Sequence, residues 1–270
     1  MTHHVIPNVL TIAGSDSGGG AGIQADLKTF SALGAYGASV VTALTAQNTH
    51  GVRAVHAPDA AFVTAQLDAV FEDIRIDAVK IGMLANADIA RAVAAALRRY
   101  RPARVVLDTV MLSKNGHALL APDAVAALRE ELVPLAALVT PNLDEAAALV
   151  GADGPATDET AMCRHAEALR ALGAPAVLIK GGHLGGAQSP DWFIDDTGSH
   201  RLGGARIAVK HTHGTGCTLS AAIAALIAQR SDWLSAVTDA KAYLADALRE
   251  SERLEVGSGI GPLHHFHRWW

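Results

Sequence analysis

The 270-residue chain is poor in several things, and each shortage excludes a class of protein. It has two cysteines, Cys163 and Cys217, too few for a disulfide scaffold. Its 4 Trp, 3 Tyr and 5 Phe cannot line a track for serial base stacking. Positive charge is not in excess: 22 Lys and Arg face 27 Asp and Glu, a net charge of −5, so no broad basic field draws nucleic acid or an anionic membrane. Long apolar runs are missing too. The longest apolar helix candidate, Leu219 to Ala228, is about half of the ~20 residues a membrane span needs. The opening residues 1–8 lack Lys and Arg, and Pro7-Asn8 breaks any signal core, so a cytoplasmic location is expected. What is abundant is apolar residues, 50%, and glycine, 25 residues, the usage of an α/β enzyme.

Short β-branched runs alternate with helical periodicity along the chain. Strands are expected at Val9–Ala13, Ser39–Ala46, Val52–His56, Ala78–Ile81, Arg104–Leu107, Leu138–Thr140 and Ala176–Ile179. Helices are expected from Ile23 to Gly34 and at Asp59–Phe71, Asn86–Tyr100, Pro122–Glu131, Gly216–Gln229 and Leu234–Leu254. Near-continuous hydrophobic strands separated by helices predict a mostly parallel sheet covered on both faces. Trp192–Ile194 and His200–Ile207, joined across Asp195–Gly198, predict an antiparallel edge hairpin. No linker or repeat divides the chain, so residues 1–270 are expected to form one domain.

In an open parallel sheet, ligands bind beyond the carboxyl ends of the strands. Those positions hold Gly14–Gly22, Gln47-Asn48, Gly82-Met83, Asp108-Thr109, Pro141-Asn142, Lys180–Gly182 and His211–Cys217, a set suited to a phosphorylated ligand. The first glycine loop is not a Walker loop, because Gly22 is followed by Ile23-Gln24 rather than Lys-Ser/Thr. It is not a dinucleotide loop either, because no acidic residue lies between Lys28 and Asp59 to hold a ribose. A plain turn would also use its glycines. The second loop, His213-Gly214-Thr215-Gly216-Cys217, follows a strand and opens an Ala-rich helix, so its backbone N–H groups should converge on an anion. That field should also lower the Cys217 thiol pKa, unless Cys217 is an inert buried cysteine. Cys163 sits in a helical run without such a loop and reads as inert.

Seven ordered motifs carry a resemblance. They are Gly14–Asp26, Thr42–Asn48, Lys80–Leu84, Leu107–Met111, Thr140–Ala146, Lys180–His183 and Thr212–Cys217. Together they resemble the hydroxymethylpyrimidine/phosphomethylpyrimidine kinases of thiamine biosynthesis, within the ribokinase-like superfamily, over essentially the whole chain. The resemblance implies a three-layer α/β/α sandwich, ATP and Mg²⁺ as cofactors, a homodimer, and phosphorylation of 4-amino-5-hydroxymethyl-2-methylpyrimidine, then of its monophosphate.

It also implies site residues. Ala21, Asp26, Gln47, Met83 and Val110 match positions lining the pyrimidine pocket, and Gln47 offers an aminopyrimidine edge both a donor and an acceptor. Asp108, Asn142 and Glu145 match positions that organise Mg²⁺. Lys180, Thr212, Gly214, Thr215 and Gly216 match the phosphate-binding region, and Cys217 is the candidate base for the alcohol. Two of these have simpler explanations: Asp26 as a helix first-turn carboxylate, and Asn142 with Glu145 as a capping box.

Two rivals stay open on residues alone. A thiol hydrolase would pair Cys217 with His211 or His213. A non-catalytic vitamer binder would bind without turning over ATP. The C-terminal His264, His265 and His267 have no Cys or paired carboxylate beside them, so a structural role is expected, with Trp269-Trp270 packing the tail.

Overall fold

The computed structural model describes residues 5–111 and 122–270. Among the described residues nine strands form a single sheet: β1 (Asn8–Asp16), β2 (Tyr36–Asn48), β3 (Gly51–His56), β4 (Ala78–Ile81), β5 (Val105–Leu107), β6 (Leu138–Val139), β7 (Ala176–Lys180), β8 (Asp191–Asp195) and β9 (Gly198–Leu202). Their order is β3-β2-β1-β4-β5-β6-β7-β8-β9. The six strands from β2 to β7 across the middle are parallel, while β3 at one edge and β8–β9 at the other run antiparallel to their neighbours. From β1 the chain turns first to β2 on one side and later to β4 on the other. The crevice between β1 and β4 is therefore the switch point where such sheets bind ligands.

Alternation along the strands separates two cores. Leu10, Ile12, Val79, Val105, Leu107 and Val177 face the helices α2 (Ala60–Phe71), α3 (Ala87–Tyr100), α4 (Pro122–Ala127), α5 (Leu143–Val150) and α6 (Glu159–Ala171). Val9, Ala78, Val106, Leu138 and Leu178 face α1 (Gly22–Ala32), α7 (Thr215–Ile227) and α8 (Trp233–Arg249). This is the expected three-layer α/β/α sandwich. Helix α7 is the central pillar: Thr218 to Ile227 are all buried, as its apolar, Ala-rich sequence requires. Each Leu or Ile it buries stabilises the fold by about 1.5–3 kcal/mol. Because α7 packs on β1, β4 and β5, its N-terminus stands over the ends of the central strands.

Several boundaries differ from expectation for local reasons. The edge hairpin is shorter than expected: β9 ends at Leu202, where Gly203-Gly204 offers no side chain to pack. The helix expected over Pro122–Glu131 is α-helical only to Ala127, then widens to a π-turn over Leu128–Leu132 and tightens to 3₁₀ at Val133–Leu135. Pro134 has no N–H to continue the ladder. Asp59, Asn86 and Asp158 cap α2, α3 and α6 with their side chains, one residue before each helix.

Candidate active site

The second glycine loop takes its shape from Gly214, which has φ +84 and serves as N-cap of α7. A Cβ there would stand 1.9 Å from the Gly20 carbonyl oxygen, so the two glycine loops touch backbone to backbone. Thr215 Oγ1 donates to the Thr212 carbonyl at 2.7 Å, closing the turn. No side chain caps the helix, so its first-turn N–H groups point outward from its positive end.

Beneath that end lies a buried charged cluster. Asp108, after β5, is 1% exposed and accepts from Lys180 Nζ at 3.2 Å and Ser220 Oγ at 3.1 Å. Burial works against its charge, but the Lys180 and Lys80 ammonium groups outweigh it and hold Asp108 below the usual carboxylate range. Lys180 Nζ also lies 4.0 Å from Glu145 Oε2. Burial raises the Glu145 pKa, and the neighbouring Asp108 charge adds to it. Gly216 faces this cluster: a Cβ there would lie 3.6 Å from Lys180 Nζ and 3.7 Å from Asp108 Oδ2. Asn142 and Glu145 do form a capping box at the start of α5, with Glu145 N–H donating to Asn142 Oδ1 at 2.9 Å and Asn142 N–H donating to Glu145 Oε2 at 2.8 Å.

This donor set fits a water-rich Mg²⁺, which takes one or two carboxylates and keeps most of its waters, rather than an all-protein cage. Asp108 and Glu145 supply two anionic side chains around Lys180, while the Asn142 amide oxygen is committed to the cap. Among the described residues no three His, Cys, Asp or Glu come together to ligate a metal.

Cys217 stands in the first turn of α7, where the Gly22 N–H favours its thiolate form. Its pKa corrects the expectation of a thiol acidified by the helix terminus. Burial pushes it up to about 11, with Asp26 and Asp108 adding to the effect and Lys80 opposing it. Asp26 is also not a first-turn carboxylate: it is the fifth residue of α1, fully buried, with both oxygens 2.8–2.9 Å from Lys80 Nζ. Thr11 Oγ1 donates to it at 2.6 Å. Burial alone would discharge Lys80, but the Asp26 carboxylate reverses this and raises the lysine pKa above its ordinary value. Sequence reasoning missed Lys80, although a lone lysine in the apolar strand Ala78–Ile81 was itself a signal, since lysine is buried only when paired.

The first glycine loop is folded around a carboxylate of its own chain. Asp16 Oδ1 accepts the Gly18 N–H at 2.8 Å, and Oδ2 accepts those of Gly20 and Ala21 at 3.0 and 2.9 Å. Although burial opposes its charge, His213 and the Gly18 and Ala21 N–H groups lower the Asp16 pKa. Three N–H groups of this loop are therefore taken, as in a turn that closes on its own chain. Gln47, at the end of β2, lies beside Thr45 and His213, so its amide is already engaged at both ends. Met83 follows β4, its sulphur 3.2 Å from where a Gly14 Cβ would stand, and its carbonyl accepts from Thr42. Val110 is part-buried two residues beyond Asp108. Ala21, Gln47, Met83 and Val110 thus share the carboxyl end of the sheet, whereas Asp26 lies beneath it.

The histidines proposed for a thiol hydrolase are turned to other partners. His211 Nδ1 accepts the Gly261 N–H at 2.9 Å, and His213 Nε2 lies 2.9 Å from Asp16 Oδ2. At the C-terminus, His265 is buried against Thr218 Oγ1 at 3.0 Å, and its carbonyl accepts from Tyr243 Oη at 2.7 Å. Trp270 stacks on Phe266 with ring centres 5.8 Å apart, yet stays 65% exposed.

A doubly covered parallel sheet, a glycine-opened central helix and a buried Lys–Asp pair under it define a small-molecule kinase of the ribokinase-like fold. The phosphomethylpyrimidine kinase family model matches residues 16–264. The chain belongs to that family. It is 58% identical to the hydroxymethylpyrimidine/phosphomethylpyrimidine kinase of Escherichia coli (strain K12), over 97% of this chain and 98% of that one. Among solved structures it is similar to the phosphomethylpyrimidine kinase of Clostridium difficile 630, at 43% identity and TM-score 0.80, covering 89% of this chain and 99% of that one. It is also similar to the pyridoxal kinase of Staphylococcus aureus in complex with AMP-PCP and pyridoxal, at 32% identity and TM-score 0.89, covering 98% and 96%. Among the described residues no helix is long and apolar enough to cross a membrane.

Proposed function

We infer that the chain phosphorylates 4-amino-5-hydroxymethyl-2-methylpyrimidine with ATP, and then phosphorylates the monophosphate to the diphosphate, in thiamine biosynthesis. The observation that carries the site assignment is the convergence of Gly216, Lys180 and Asp108 at the uncapped N-terminus of α7. Phosphoryl transfer asks mainly for positioning and for stabilisation of charge on the transferring group. The N–H groups of Gly214 to Cys217 and the Lys180 ammonium would supply that stabilisation, with Thr212 and Thr215 holding the loop. Mg²⁺ would neutralise nucleotide charge, with Asp108 and Glu145 anchoring its waters and Asn142 fixing Glu145. Ala21, Gln47, Met83 and Val110 would contact the pyrimidine. The buried Asp26 would act on that pocket from behind, through Lys80. Residues 1–270 would make one cytoplasmic kinase domain, and the exposed apolar Tyr36, Leu44 and Val55 on the β2–β3 edge are suited to a homodimer.

The two steps differ in what they ask of Cys217. An alcohol benefits from a general base, worth about 10²–10⁴-fold, whereas a phosphate acceptor is already ionised. Cys217→Ala should therefore slow the first step much more than the second, read by product quantification from each acceptor. With a thiol pKa of about 11, the thiolate fraction grows as pH rises from 7. The first step should accelerate with pH, while the second should not follow it. Equal losses in Cys217→Ala would leave the thiol a positioning group.

Pyridoxal is a second acceptor to assay, because the similar S. aureus structure holds it. Phosphorylation of pyridoxal at a rate matching the pyrimidine would widen the substrate class.

A further inference from the structure

His213 joins parts of the site that are far apart in sequence: Asp16 of the first loop, Gln47 at the end of β2, and the second loop that carries it. Its Nε2 lies 2.9 Å from Asp16 Oδ2 and 3.1 Å from Gln47 Nε2. These two contacts make opposite demands. Asp16 also accepts three backbone N–H groups and is ionised, so the imidazole nitrogen facing it must carry a proton. A protonated Nε2 cannot accept from the Gln47 amide nitrogen.

A second conflict sits at the other end of the same amide. Thr45 has one hydroxyl proton yet faces two oxygens, the Ser15 carbonyl at 2.9 Å and Gln47 Oε1 at 3.1 Å. The oxygen and nitrogen of an amide are identified by the partners they meet. Exchanging them at Gln47 replaces the donor-to-donor clash at His213 by a three-centre hydrogen bond and relieves Thr45 of its second acceptor. His213 Nε2–H then donates to the Gln47 oxygen as well as to Asp16. The Gln47 NH₂ donates to Thr45 Oγ1, and Thr45 gives its single proton to Ser15.

We propose that His213 is a positioning residue that sets the polarity of the Gln47 carboxamide, and through it the choice of a 4-amino over a 4-oxo pyrimidine. This rests on the kinase reading above, with Gln47 on the pyrimidine edge. In the orientation His213 enforces, the remaining lone pair of the Gln47 oxygen and the second amide hydrogen lie side by side. That order accepts from a 4-amino group and donates to the adjacent ring nitrogen. A 4-oxo pyrimidine presents the reverse pattern, an acceptor beside a ring N–H.

The test is the ratio of kcat/KM for 4-amino-5-hydroxymethyl-2-methylpyrimidine over that for 5-hydroxymethyl-2-methylpyrimidin-4-one. This ratio is independent of how much enzyme is folded. His213→Leu, which removes the donor, is expected to lower the ratio about tenfold or more. His213→Gln, which returns an N–H at similar reach, is expected to hold it within about threefold of the parent. Thr45→Val attacks the same amide from its other end and is expected to lower the ratio without touching the imidazole. An unchanged ratio in His213→Leu or in Thr45→Val, with both substrates losing rate in parallel, would overturn the proposal and leave His213 a structural tie between the loops. So would a Gln variant that behaves like the Leu variant. If the unaltered protein phosphorylates neither pyrimidine, the kinase reading fails first, and the two failures are told apart by that control.

Discussion

Both glycine loops lead into a helix, the first directly from β1 and the second from the irregular stretch after β9, yet their backbone N–H groups meet different partners. In the first, the N–H groups of Gly18, Gly20 and Ala21 close on the Asp16 carboxylate, an anion supplied by the same chain. In the second, helix α7 begins without a side-chain cap, above Asp108 and Lys180. A loop that supplies its own anion is stabilised at rest. A loop that leaves its N–H groups outward is completed only by an anion from outside. The same residue type therefore does structural work in one place and chemical work in the other, and the two are held in contact through Gly20 and Gly214.

The hardest way to break the comparison is at that contact. Gly214→Ala would place a Cβ 1.9 Å from the Gly20 carbonyl, at a φ of +84. The left-handed conformation costs about 1–2 kcal/mol for an L-residue, and displacing backbone should bring the total to about 3–5 kcal/mol. Thermal unfolding of the variant should show both loops released together; a melting temperature within a degree of the parent would sink this reading. Two residues along, Gly216→Ala sharpens the contrast. Its Cβ would lie at ordinary contact distances from Lys180 and Asp108, and alanine is the better helix former by about 1 kcal/mol. Stability should hold or rise while kcat falls about 10²-fold, because the new Cβ stands beside Lys180 and Asp108 at the α7 N-terminus and shifts the group being transferred. A stable, fully active Gly216→Ala would remove the second loop from the chemistry.

The parallel layers were legible because burial on both faces forces near-continuous apolar strands, and Ala78–Ile81 was bounded correctly from that pattern alone. The second glycine loop was legible because its function is local, a turn running into a helix. What escaped was carried by pairing across distance. Asp26 and Lys80 are 54 residues apart, and no periodicity links them. Asp16 and His213 are 197 apart. The Cys217 thiol was misjudged for the same reason: the helix-terminus rule is local, while the burial that pushes its pKa up to about 11 belongs to the packed fold. The capping box of Asn142 and Glu145 was readable from spacing, but its contact with Lys180 was not.

The smallest expected effect tests the self-sufficient loop. Asp16→Asn keeps the shape but offers one acceptor oxygen in place of two, and it turns an NH₂ toward N–H groups that now donate. Hydrogen bonds to a charged group are worth about 1.5–3 kcal/mol, so a loss of about 2 kcal/mol is expected at pH 7. Acidity supplies the control. The Asp16 pKa is lower in the folded protein than in the unfolded chain, where a carboxyl titrates near about 3.9. Its stabilisation is therefore present above that value and is lost as pH falls through the folded pKa. The stability gap between the parent and Asp16→Asn should be full near neutrality and should close below about pH 4. Denaturant midpoints for both proteins across that range decide it: a gap that stays constant into acid would mean that shape, not the buried anion, holds the first loop.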